Sequence, residues 1–153
     1  MSHNLYFPLF VDLSEKKIAV IGAGAVASRR VRVLCEFAEH ITVIAPDIHP
    51  DIQSLADAGR LTVIRKCYES ADIDSADMVL AAANDKKLNG EIAELCRQKR
   101  IPVNNCSDRS QCDFYFPGVI HTDDVVIGVT ANGKDHAKAK QVTEHIRKAL
   151  ELE

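Results

Sequence analysis

The segment Lys17–Arg30, KIAVIGAGAVASRR, constrains the fold of this chain more than any other stretch. It opens with four consecutive apolar residues, Ile18, Ala19, Val20 and Ile21, as expected of a strand buried on both faces. Gly22-Ala23-Gly24-Ala25-Val26-Ala27 then fits the G-x-G-x-x-G/A turn of dinucleotide-binding folds. A helix is expected next, with Val26, Ala27, Val31, Leu34 and Ala38 on one face. The small residues have separate physical tasks. Gly22 permits a tight turn, Gly24 lets a pyrophosphate reach the backbone, and Ala27 lets the helix lie close to the strand. Free N–H groups and the positive end of the helix dipole favour an anion here.

Strands and helices alternate after this unit. Ile41–Ala45 reads as a second strand closed by Pro46, and His49–Ala58 as a short helix ended by Gly59. Leu61–Arg65 is a third strand and Met78–Ala82 a fourth, apolar enough to be buried on both faces. Asp85–Gln98 is an amphipathic helix with Leu88, Ile92, Ala93, Leu95 and Cys96 inward, and Ile101–Asn104 is a fifth strand. This rhythm specifies an α/β fold, a Rossmann-like doubly wound parallel sheet. Ligands of such sheets bind beyond the carboxyl ends of the strands. That rule gathers the Gly22 turn, Pro46-Asp47, Asn84-Asp85 and the loop after Asn104 around one crevice.

The pattern changes after Ser107. Phe114–His121 and Val125–Thr130 are β-rich runs separated by Thr122-Asp123-Asp124, which predicts a hairpin. Ala131-Asn132-Gly133 forms a loop before a helix over 134–152. The expected organisation is a nucleotide-binding domain over 1–112 and a hairpin-plus-helix segment over 113–153. An exposed apolar hairpin needs a cover, and the expected cover is a second copy of the chain, the alternative being the hairpin's own sheet.

Composition removes several classes. A chain of 153 residues, 46% hydrophobic and 27% charged, can build a core. Its net charge of -3 and lack of a basic block give no support for nucleic-acid binding. No apolar run is long enough for a membrane span, and the first residues lack a signal-peptide pattern. The five cysteines are scattered and contain no CxxC pair, so reduced thiols and a cytoplasmic location are expected. HExxH and compact Cys/His clusters are missing too, so no metal site is expected.

The cofactor follows from the second strand. An acidic residue about twenty positions past the glycines ordinarily bonds the ribose hydroxyls. Asp47 arrives slightly late, after Ala45-Pro46, but can serve, and an acid there favours NAD over NADP by charge repulsion. Asn84 either borders the ribose on the nicotinamide side or, with Asp85, caps the following helix. Arg29 and Arg30 oppose the helix dipole; they are expected to pair with acidic side chains or, alternatively, to meet a phosphate or a substrate carboxylate.

Several motifs in order, YFPLFVDL from Tyr6, GAGAVASRR, ITVIAPD, AAANDKKLN and VNNCSDRSQCDFYFPGVI, resemble the amino-terminal module of siroheme synthases. That group includes stand-alone precorrin-2 dehydrogenases and dehydrogenase/ferrochelatases, and the match runs from about Tyr6 to about Leu150. The resemblance implies a Rossmann domain, an interlocked homodimer, NAD as hydride acceptor and a tetrapyrrole substrate oxidised from precorrin-2 to sirohydrochlorin. Some members also insert Fe²⁺. Carried over by position, Gly22, Ala23, Gly24, Ala25 and Val26 lie against the dinucleotide, Pro46 and Asp47 at its adenosine end, and Asn84 at the nicotinamide side. The family's catalytic aspartate falls at Ser107, with Asp108 next to it, and Asp108 is expected to be either the proton acceptor or a turn or cap residue. A positioned carboxylate or imidazole contributes roughly 10²–10⁴-fold. His121 is the second candidate. Other classes with such a turn are a non-catalytic dinucleotide-sensing module and an inactive structural homologue; the Ser107 departure favours the latter, and the VNNCSD stretch with its aromatic hairpin argues against the former.

Overall fold

In a computed structural model, residues 5–132 and 134–151 are described. Val11–Phe114 form one compact unit; the residues before Val11 and those from Tyr115 onward form another.

The larger unit holds a five-stranded parallel sheet. Its strands are β1 (Lys17–Ile21), β2 (His40–Ile44), β3 (Thr62–Ile64), β4 (Met78–Ala81) and β5 (Val103–Asn105), in spatial order β3-β2-β1-β4-β5. Register runs Ile21↔Ile44 and Ile44↔Ile64 on one side of β1, and Ile21↔Ala81 and Ala81↔Asn105 on the other. The strand order reverses between β1 and β4, which is where open parallel sheets bind ligands. Helices α1 (Ala25–Leu34), α2 (Pro50–Asp57) and α3 (Lys86–Lys99) connect β1 to β2, β2 to β3 and β4 to β5.

Period-two alternation sends Ala19, Ile21, Val79, Ala81 and Val103 to one face, where they pack with Ile92, Ala93 and Cys96 of α3 and with Ile73. Leu88 and Leu95 lie against this cluster half-buried, while Asn89 occupies the fully buried position expected of an apolar residue. In α1, Ala27, Val31 and Leu34 are buried as expected, and Ala38 is buried just beyond it. Val26 is exposed instead, and Ser28 is buried in its place. Ala27, Ser28, Val31 and Leu34 define the buried face of α1, and at about 100° per residue Val26 falls outside that stripe.

The β3–β4 connection departs from the helical rhythm. Residues 65–77 contain only a short 3₁₀ turn, Ser70–Ile73, held by reciprocal Glu69 and Asp72 capping bonds. This polar stretch has no 3.6-residue apolar stripe; Ile73 anchors it in the core, with Tyr68 and Ala76 half-buried against the same cluster.

In the smaller unit, β6 (Gly118–His121) and β7 (Val126–Val129) pair antiparallel, and α4 (His136–Ala149) is capped by Asp135. β6 is shorter than the Phe114–His121 expectation, because Pro117 has no N–H for a ladder bond. Leu152, the expected end of the last helix, and Gly133 lie outside the described residues. Among the described residues of this unit only Ile120 is a buried apolar side chain, whereas Leu5, Phe7, Leu9, Phe10, Val125 and Leu150 are exposed.

Gly22 fixes the join between β1 and β4. Its φ is +104°, and a Cβ would overlap the Ala82 carbonyl and lie 2.6 Å from Ala83 N. Gly22→Ala therefore combines left-handed strain with a clash against backbone that cannot rotate away. It should lower unfolding free energy by about 3 kcal/mol or more. Urea denaturation checks this; a variant within 1 kcal/mol of the parent would mean the turn relaxes.

Candidate functional site

The carboxyl ends of β1, β2, β4 and β5 are joined by backbone hydrogen bonds that hold four loops together. Gly22 N–H donates to Ile44 O (3.0 Å), Ala82 N–H to Ile21 O (2.7 Å) and Cys106 N–H to Ala81 O (2.9 Å). His49 N–H donates to Ala23 O (3.0 Å), tying the β2–α2 loop to the glycine turn. His49 also caps α2, its Nδ1 accepting from Asp51 N–H at 3.2 Å. The capping role of His49 goes with Pro50 in the first turn of α2, a helix-start signal.

At the first turn of α1, Gly24 is the N-cap and supplies no side-chain hydrogen bond. Ser28 N–H donates to Gly24 O at 2.9 Å. The N–H groups ahead of it carry the partial positive charge of the helix end, and no acidic side chain occupies that turn. Gly24 itself sits at φ -86°, which any residue can adopt. The nearest atom to a Cβ built there is Asn84 Oδ1 at 3.8 Å. Packing within the chain therefore does not require glycine at 24, whereas it does at 22. A cradle that a side chain would fill, in front of unsatisfied helix N–H groups, fits a dinucleotide diphosphate. Ala25 is exposed beside it, Ala23 is buried, and Pro46 and Asp47 are exposed at the end of β2.

Asn84 is exposed and does not cap α3; Asp85 does, accepting from Lys87 N–H (2.9 Å) and Leu88 N–H (3.2 Å). Asn84 is thus left facing Gly24.

The β5 strand places one asparagine on each side of the sheet. Asn104 Nδ2 donates to Phe114 O at 2.8 Å, and its Oδ1 accepts from the Arg30 guanidinium. Arg30 also donates to Cys106 Sγ at 2.9 Å. Arg30 thus meets an amide and a thiol at the end of β5. Arg29 is exposed. Asn105 Oδ1 accepts from Ser107 N–H (2.9 Å) and Ser107 Oγ–H (2.8 Å), so Ser107 closes a side-chain turn. Asp108 caps the following 3₁₀ turn, Arg109–Gln111, and its Oδ1 accepts from Ser110 N–H (2.9 Å) and Ser110 Oγ–H (2.6 Å). The Ser110 hydroxyl and then its N–H hold the Asp108 carboxyl below the usual carboxylate range. His121 is exposed on β6, in the smaller unit.

A depression of about 570 Å³ opens elsewhere, over the sheet face that the β3–β4 connection leaves uncovered. Its lining includes Glu15, Glu39 and Asp72, carboxylates that would repel a diphosphate. The glycine turn, with no acidic side chain in the first turn of α1, suits an anion better. Among the described residues, no group of three or more His, Cys, Asp or Glu side chains could hold a metal, and no helix is long and apolar enough to cross a membrane.

The family model described as "Putative NAD(P)-binding" matches residues 9–118. The chain is 38% identical over 143 residues to the "Probable multifunctional siroheme biosynthesis protein HemA" of Ruminiclostridium josui, covering 93% of this chain and 28% of that protein. It is 30% identical over 147 residues to the siroheme synthase of Baumannia cicadellinicola, covering 96% and 32%. The chain thus spans about a third or less of the curated relatives it matches. The solved structure of "SirC, precorrin-2 dehydrogenase" superposes with a TM-score of 0.79 at 22% identity, over 94% of this chain and 71% of that one.

Two expectations follow. Gly24→Val should leave the fold intact, with a melting midpoint within about 5 °C of the parent, while calorimetry detects no NAD⁺ binding; retained affinity would remove the diphosphate from this turn. Because the Asp108 pKa is depressed on folding, its contribution to stability is present above the unfolded value of about 3.9 and is lost as pH falls through the folded value. NMR titration should place its midpoint below that of Asp108 in a Ser110→Ala variant; identical midpoints would contradict the assigned cause.

Proposed function

The chain belongs to the family described as "Putative NAD(P)-binding", and from that premise we propose that it is an NAD-dependent dehydrogenase oxidising precorrin-2 to sirohydrochlorin in siroheme biosynthesis. The observation that carries the reading is the uncapped start of α1, with Gly24 open and facing Asn84 at the reversal of strand order. The siroheme-related names of its sequence relatives support the substrate class.

The oxidation removes one hydride and one proton from the macrocycle. Bound NAD⁺ supplies the hydride acceptor. The N–H groups following Gly24 bind the diphosphate, Ala25 and Val26 border it, and Asn84 orients the ribose on the nicotinamide side. Asp47, with Pro46, faces the adenosine end and repels the extra phosphate of NADP. Asp108, ionised at neutral pH, accepts the proton, and Ser107 holds its loop. His121 is the second proton acceptor or a partner for a substrate carboxylate. We also propose that the protein is cytoplasmic and a homodimer paired through the smaller unit, whose exposed Leu5, Phe7, Leu9, Phe10 and Val125 call for a cover. Sedimentation should then give twice the chain mass.

Turnover of precorrin-2 with NAD⁺, followed by sirohydrochlorin absorbance, tests the activity, and added Fe²⁺ tests for metal insertion. Asp108→Asn should lower kcat about 10²-fold while NAD⁺ affinity stays within about twofold of the parent. An unchanged kcat excludes Asp108 as the proton acceptor. NAD⁺ binding without turnover in the parent protein would select a sensing role.

A further inference from the structure

We infer that Asn89 is a positioning residue: its buried amide holds the loop after β4 and the loop after β5 in fixed relation, aligning Asn84 with Asp108. The inference rests on the dinucleotide reading above and concerns how the same site is kept in shape.

Asn89 lies on α3 and is fully buried. Ile92, Ala93 and Cys96, three, four and seven residues further on, are also fully buried and belong to the apolar core. An amide on such a stripe lowers stability unless its hydrogen bonds are made. Here they are made to both loops. Asn89 Oδ1 accepts from Ala83 N–H (3.0 Å), and Nδ2 donates to Ala83 O (2.9 Å) and to Ser107 Oγ (3.1 Å). The first pair clamps the peptide immediately before Asn84. The third reaches the residue immediately before Asp108.

The bonds beyond Ser107 are directional. Having accepted from Asn89, the Ser107 hydroxyl donates to Asn105 Oδ1 (2.8 Å), and Asn105 Nδ2 donates to Gln111 Oε1 (2.9 Å). One chain of hydrogen bonds therefore runs from the Ala83 peptide through α3 to both ends of the Asp108 turn. Only a short side chain offering one acceptor and two donors completes it. Aspartate retains the acceptor but, when ionised, loses both donors. Alanine at 107 removes the arm between the loops and leaves the Ala83 clamp in place.

The test compares ADP with NAD⁺. ADP carries the adenosine and diphosphate but neither the second ribose nor the nicotinamide. In Asn89→Asp, calorimetry should find ADP affinity within about twofold of the parent and NAD⁺ affinity weakened about tenfold, the scale of one or two lost hydrogen bonds. Turnover should fall with it. The double variant with Ser107→Ala should lose clearly less than the sum of the two single losses, since both changes remove the Asn89–Ser107 bond. Equal weakening of ADP and NAD⁺, parental NAD⁺ affinity, or additive losses in the double variant would each overturn the inference. If Asn89→Asp fails to fold, Ser107→Ala carries the test. It should lower kcat about tenfold with ADP affinity unchanged, and Ser107→Thr, which keeps the hydroxyl, should restore the rate; a parental rate in Ser107→Ala contradicts the coupling. A parent protein that binds neither ADP nor NAD⁺ overturns the dinucleotide reading itself and the role of Asn89 with it.

Discussion

The contact between Gly22 and the Ala82–Ala83 peptide sets the rest of the larger unit. A left-handed glycine there lets β1 end against β4 without a side chain between them. The chain can then turn into α1 within three residues. Because the strand order reverses at this same join, the start of α1 is delivered to the crevice of the sheet with its N–H groups free of a protein cap. The two glycines of the turn therefore divide their labour: one is required by the chain's own backbone, and the other is required only if something else occupies the space in front of it.

The loops around the crevice are not independent. His49 ties the β2 side to the glycine turn, and Asn89 ties the β4 side to the β5 side. Each tie uses a polar group at the start or the inner face of a helix, so loop geometry is inherited from elements with a packed core beneath them. Polar groups that bind a charged ligand must stay hydrated or partnered until the ligand arrives, and a frame of short hydrogen bonds keeps them apart without burying them.

The apolar runs made β1, β2 and β4 legible, because buried parallel strands leave uninterrupted stretches such as Val79-Leu80-Ala81; the more exposed β3 is shorter than its expected run, and β5, with two asparagines, lies at Val103–Asn105 rather than at Ile101–Asn104. Pro50 in the first turn of helix α2 was a start signal left unused, but the end of that helix was legible from Gly59 past its last turn. The β3–β4 connection was not, since a short 3₁₀ turn has no periodicity to detect. Asn89 was missed for a different reason. Treating polar residues as outward-facing moved attention to Leu88 and Leu95, although the spacing 89, 92, 93, 96 marks the buried stripe. An amide on that stripe was the available signal. Asp108 and Ser107 were legible as a motif, but only coordinates could show that the Ser110 hydroxyl and the Asn105 amide engage them.

In the proposed function the first turn of α1 receives the dinucleotide diphosphate. Titrating the ¹⁵N-labelled protein with NAD⁺ reads it directly, because an anion at a helix end shifts the amide protons that face it. The account predicts saturable shifts concentrated at Gly24, Ala25, Val26, Asn84 and the backbone of Asp47. Shifts gathered instead around Lys17, His40 and Thr62, in the depression over the open sheet face, would contradict it.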